Sequence, residues 1–197
     1  MNDSFESLFK KEGKEPTRAK FLSRVFGIFS EEIVRIWAND SRAPYANLGR
    51  PTLRQFDTSK RFTLDFTFQH RVTNKIYVVE MKCEIEYENF RYMVLTETQQ
   101  LKHHKKDAFV AFLDIAKNYS SWMVFTNKAQ TIVDGAILVW GDATTEGRRS
   151  VITETGCFDV ITVSDIICDL KSWNNAEYQV FIQQRNQWMS ELFSFLS

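Results

Sequence analysis

Cysteine, proline and glycine are all scarce, at 3, 3 and 7 of 197 residues. So little glycine and proline excludes collagen-like and proline-rich linker proteins. The three cysteines, Cys83, Cys157 and Cys168, are odd in number and widely spaced. They make neither a disulfide framework nor a zinc knuckle, and point to a reducing cytoplasm. No run of about 18 apolar residues occurs, so no transmembrane helix is expected. The opening MNDSFESLFKKEGK lacks the positive start and apolar core of a secretory signal. Net charge is absent too, with 25 basic residues against 25 acidic, which argues against a globally basic nucleic-acid coat.

What is present is aromatic and apolar. Seventeen Phe and five Trp exclude a disordered chain. A chain of this length buries roughly 70% of its unfolded surface and needs no staple, so residues 1–197 read as one domain. Charge is uneven. Lys10, Lys11, Lys14, Arg18, Lys20 and Arg24 face only Glu12 and Glu15, and residues 1–15 read as a flexible basic arm. A second cluster is Lys102, His103, His104, Lys105 and Lys106. Taken singly, each is an ordinary solvated face.

Apolar residues at helical spacing from Phe21 to Trp37 predict a helix over Thr17–Asn39. A loop follows to Pro51. Phe62–His70 alternates strictly and predicts one half-buried strand. Ile76–Ile85 predicts a second, with Ile76, Val78, Glu80 and Lys82 on one face and Tyr77, Val79, Met81 and Cys83 on the other. The two should form an antiparallel hairpin. A long helix is expected from about Asn89 to Lys117. Short strands are expected at Ser121–Thr126, Ala136–Trp140 and Val160–Val163, with a helical stretch from Ser164. The tail 175–197 reads as an amphipathic helix. The order implies a mixed α/β layered domain.

The hairpin carries the chemistry. Fourteen residues separate Asp65 from Glu80. If His70 pairs with Lys75, Asp65 falls opposite Glu80, with Cβ atoms about 4.5–5.5 Å apart. Two carboxylates that close need a proton or a cation between them. Carboxylate oxygens are the ligands Mg²⁺ or Mn²⁺ prefers. Lys82, one pleat along, adds a positive charge. The set suits metal-assisted phosphodiester hydrolysis, with the lysine orienting a water or stabilising the transition state.

Asp65…Glu80-Met81-Lys82 resembles the PD-(D/E)XK nuclease superfamily, the fold of restriction endonucleases and Holliday-junction resolvases. FTLDFTF and IYVVEMKCE match its acid-bearing hairpin, GIFSEEIVRIW its preceding helix, and TETQQLKHHK its crossing helix. Leu64 stands where the family name has proline. A second E-x-K, Glu12-Gly13-Lys14, lies in a polar segment without strand character.

The resemblance implies a restriction-endonuclease-like α/β fold, a mixed central sheet flanked by helices on both faces. It also implies a Mg²⁺- or Mn²⁺-dependent nuclease acting on DNA, double-stranded by preference, of restriction, phage or defence type. Asp65, Glu80 and the main-chain carbonyl of Met81 would hold the metal. Lys82 would position the water, and Glu31 or Glu32 would complete the site. The apolar stripe favours Glu32, whereas the Gly27-to-Glu31 spacing favours Glu31. Gln99, Gln100, His103 and His104 are weaker candidates. Trp188, Leu192 and Phe195 offer a homodimer surface or pack on their own domain. The alternative reading is a catalytically inactive nuclease fold that binds DNA or protein.

Overall fold

A computed structural model of the chain describes residues 5, 7, 16–56, 59–83 and 92–197. Apart from Phe5 and Ser7, the basic arm lies outside the described residues, as does the segment 89–91 that was expected to open the long helix. In chain order the elements begin with α1 (Pro16–Asn39), β1 (Tyr45–Gly49), β2 (Pro51–Gln55), β3 (Arg61–Thr63), β4 (Phe66–His70) and β5 (Ile76–Lys82). Next come β6 (Val94–Leu95), a 3₁₀ turn (Thr98–His103), α2 (Asp107–Lys117), β7 (Trp122–Thr126), β8 (Ala129–Thr131) and β9 (Gly135–Trp140). The chain closes with β10 (Asp142–Ala143), α3 (Thr145–Thr155), β11 (Asp159–Thr162), α4 (Val163–Ser172) and α5 (Ala176–Leu196).

The central sheet has the order β1-β4-β5-β9-β11. Its β1–β4 and β4–β5 pairs are antiparallel, and β5–β9 and β9–β11 are parallel. A smaller antiparallel sheet has the order β3-β2-β7-β8. The two-residue period divides the central sheet between two apolar clusters. Tyr77, Val79 and Met81 of β5 pack with Ile33 and Trp37 of α1 and Ile166 and Leu170 of α4. Val78 of β5, with Leu138 and Trp140 of β9, packs against Phe109 and Phe112 of α2 and Val151 of α3. Helices therefore cover the sheet on both faces, as parallel strands require. Among the described residues no helix is long and apolar enough to cross a membrane.

Three expected elements differ. The strand Phe62–His70 is two strands, because the chain changes sheets between Leu64 and Asp65. The Leu64 N–H donates to Pro51 O of β2, whereas the Asp65 N–H donates to Val79 O of β5. The alternation breaks at that point: Phe62 and Leu64 join one cluster, and Phe66 and Phe68 the other. From Tyr92 to Lys117 the expected long helix is replaced by β6, the 3₁₀ turn and α2. Gln100 explains the interruption. Its Oε1 accepts from the N–H groups of Thr96 (2.6 Å) and Glu97 (3.1 Å), and its Nε2 donates to Val94 O at 3.0 Å. These bonds hold the backbone in a tight turn that an α-helix would undo. The expected loop to Pro51 contains β1, which leads through Arg50 straight into β2. Arg71 anchors that segment by donating to the carbonyls of Ala38, Asp40 and Ala43.

Candidate active site

The hairpin register is the one expected. The ladder runs from Gln69↔Ile76 to Phe66↔Val79, where it ends, and the His70 N–H donates to Lys75 O at 2.8 Å. Asp65, the next residue, donates its N–H to Val79 O, with its charge within reach of the Glu80 carboxyl. Asp65 lies at the sheet switch, where its side chain takes over from the ladder: Oδ2 accepts from the Met81 N–H at 2.8 Å. Glu80 sits inside β5, between Val79 and Met81, with only 8% of its side chain exposed. Lys82 is 21% exposed. Its Nζ donates to Glu80 Oε1 at 2.5 Å and to Met81 O at 3.1 Å, and lies 5.6 Å from the centre of the Phe109 ring.

Two influences push the Glu80 carboxyl above its ordinary range: first burial, then the Asp65 charge. Lys82 and Arg50 oppose them. A buried carboxylate beside a second one is the arrangement that calls for a cation. Here the Lys82 ammonium supplies it, sitting between Glu80 Oε1 and Met81 O. These are hard oxygen donors. Among the described residues no group of three His, Cys, Asp or Glu side chains converges on a metal position. An ion would therefore take two carboxylates, a main-chain carbonyl and water, which is the sparse protein shell that Mg²⁺ accepts. The residues present fit such an ion.

The structure brings Asp65, Glu80, Met81 and Lys82 together. It brings neither helix glutamate to them through any described hydrogen bond or ion pair. Glu31 is exposed. Glu32 pairs with Arg35 at 2.6 Å, and Arg35 also pairs with Glu177 of α5 at 2.9 Å. Hydrogen bonding from Arg35 holds the Glu32 carboxyl below its ordinary range. Gln99 is exposed, and Gln100 is engaged in its turn. His103 stacks on Tyr92 (5.0 Å), and His104 lies 4.7 Å from Phe109, the ring beneath Lys82.

Arg50 is the site residue that the sequence pattern did not reveal. Its Nη2 reaches Asp65 Oδ1 at 3.5 Å, and its Nε donates to Leu64 O at 3.4 Å. Only the unforeseen β1–β2 junction brings it there. Gly49 makes the junction possible. Its φ is +112°, and an added Cβ would lie 3.0 Å from Asn127 Oδ1.

Comparison with protein-family models, with curated proteins and with solved structures found no match to this chain.

Proposed function

We propose that the chain is a divalent-metal-dependent nuclease of restriction-endonuclease-like fold that hydrolyses a phosphodiester bond in DNA. The observation that carries the reading is the register of the β4–β5 hairpin. It leads Asp65 to the end of the ladder beside Glu80 and Met81, and a lysine ammonium lies on the oxygens a metal would use. The sheet order supports it: an antiparallel acid-bearing hairpin followed in space by the parallel strand β9, with helices on both faces.

Asp65, Glu80 and the Met81 carbonyl would hold Mg²⁺ or Mn²⁺. The bound ion would supply Lewis-acid stabilisation and a water of lowered pKa. Lys82, whose ammonium rests on Glu80 Oε1 and Met81 O, would orient such a water and meet charge developing on the phosphate. The Phe109 ring holds the ammonium near the acids. Arg50 places a guanidinium on the open side of Asp65, within reach of a phosphate oxygen.

The test is cleavage of supercoiled plasmid with Mg²⁺ or Mn²⁺ by wild type, Asp65→Ala and Lys82→Ala. The expected result is metal-dependent cutting that falls by about 100-fold or more in each variant. Discrete bands would indicate a restriction-type endonuclease. Wild type that binds DNA without cutting it would leave the inactive, binding-only fold.

A further inference from the structure

A basic groove runs over the outer face of the small sheet. Leu53, Phe62 and Val124 point inward to the apolar cluster or pack against it, so the two-residue period sends Thr52, Arg54, Arg61 and Phe125 outward. These residues, with Arg50, Asn127 and Lys128, line a groove of about 440 Å³. The lining holds four cations and no acid.

Two features make this more than a solvated face. Arg54 and Arg61 are direct cross-strand partners. Like charges directly opposed on a sheet work against folding. Among the described residues neither forms an ion pair that would offset the repulsion. In addition, Arg54 Nε is buried and has no hydrogen-bond partner. A buried donor left unpaired is costly unless something else completes it. The groove wall is itself braced. Asn127 and Lys128 make a two-residue turn with φ of 53° and 67°, and Asn127 Nδ2 donates to Leu48 O at 2.9 Å. That bond ties the β7–β8 turn to the β1–β2 junction that carries Arg50.

We propose that this groove binds the phosphate backbone of a nucleic-acid strand, with Arg54 and Arg61 on adjacent phosphates. Arg50, shared between the groove and Asp65, then marks the point where the strand passes to the acidic pair. Phe125 offers a ring face against sugar or base. The choice of a nucleic-acid polymer rests on the nuclease reading; the anion site rests on the arginines.

The test measures binding, not cleavage, so that the two readings fail separately. Fluorescence anisotropy of a labelled 20-nucleotide DNA, as single strand and as duplex, is recorded in EDTA over a series of salt concentrations. Arg54→Gln/Arg61→Gln is expected to weaken binding by at least tenfold and to make the log K against log salt slope shallower by about 1.4–1.8, at roughly 0.7–0.9 for each phosphate no longer neutralised. Arg54→Lys/Arg61→Lys is expected to keep most of the slope. Lys102→Gln/Lys105→Gln/Lys106→Gln is expected to leave it unchanged. The Gln pair is also expected to melt no lower than wild type, because it removes a like-charge repulsion. The proposal is overturned if wild type binds neither probe at low salt, or if the slope follows the Lys102–Lys106 cluster instead. Inorganic tripolyphosphate binding as tightly as the oligonucleotide would also overturn it, since the occupant would then be a small anion.

Discussion

Replacing Lys82 by methionine tests the central electrostatic claim without any substrate. The substitution removes the ammonium 2.5 Å from Glu80 Oε1 and keeps most of the aliphatic stem. Glu80 and Lys82 are 8% and 21% exposed, so solvent screens the pair weakly. Breaking a buried pair by deleting one partner costs about 3–5 kcal/mol, because the other charge is stranded. Lys82 gives up its own burial penalty, which favours the lower end, about 3 kcal/mol, or roughly 6–12 °C in Tm for a domain of this size.

The pH dependence separates this loss from a packing defect. Burial and Asp65 raise the Glu80 carboxyl, and Lys82 partly restrains it. Without Lys82 the folded-state value climbs further, while the unfolded value stays at the ordinary 4.5. Between those two values the folded state binds more protons than the unfolded one, so stability falls as pH rises through the window. The window extends higher in the variant. The Tm gap between Lys82→Met and wild type should therefore be small near about pH 5 and full near about pH 8. Mg²⁺ should recover more of the Tm in the variant, where Glu80 Oε1 and Met81 O are no longer held by the ammonium. Thermal unfolding followed by circular dichroism reads all of this. An equal gap at both pH values, untouched by Mg²⁺, would refute the reasoning.

Three further outcomes follow from the packing. Gly147→Ala drives a Cβ into Leu95 O, a main-chain atom that cannot swing aside, and should cost about 1–3 kcal/mol in denaturant unfolding. Gln100→Ala strips the Thr96 and Glu97 N–H groups of their acceptor and should cost about 2 kcal/mol, with cleavage per folded molecule unchanged; a selective loss of cleavage would make it a site residue. In α5, Trp188, Leu192 and Phe195 are 53%, 49% and 87% exposed, and these are the side chains a second copy would cover. Trp188→Glu/Leu192→Glu should then convert a dimer to a monomer by light scattering, and an unchanged mass removes that surface from the role.

The parts of the fold written in local pattern were legible. Period 2 in IYVVEMK divides β5 between two cores, and the hairpin length fixes the register from Phe66↔Val79 to Gln69↔Ile76, at whose end Asp65 lies. The termini of α1 and α5 follow from their apolar stripes and flanking residues. What escaped depends on partners distant in sequence. Strict alternation through Phe62–His70 carries no mark of the sheet change, because either sheet accepts the same pattern until Pro51 and Val79 choose different sides. The interruption at Thr96–Gln100 is set by one glutamine side chain that bonds mainly to backbone, and a glutamine in a helical pattern looks ordinary. Arg50 and the groove arginines escaped for the same reason: their meeting is made by the pairing of β2 with β3 and β7, not by spacing along the chain.

The chain passes from the central sheet to the small one at Gly49–Arg50–Pro51 and returns at Leu64–Asp65. The first bears Arg50 and the second Asp65, and the two side chains meet at 3.5 Å. Glu80, by contrast, is paired with Leu138 in the ladder between β5 and β9, inside the central sheet. The backbone therefore links the small sheet directly to Arg50 and Asp65, while Glu80 belongs to the interior of β5. Of the two carboxylates, one thus hangs from the seam between sheets and the other from the middle of a strand.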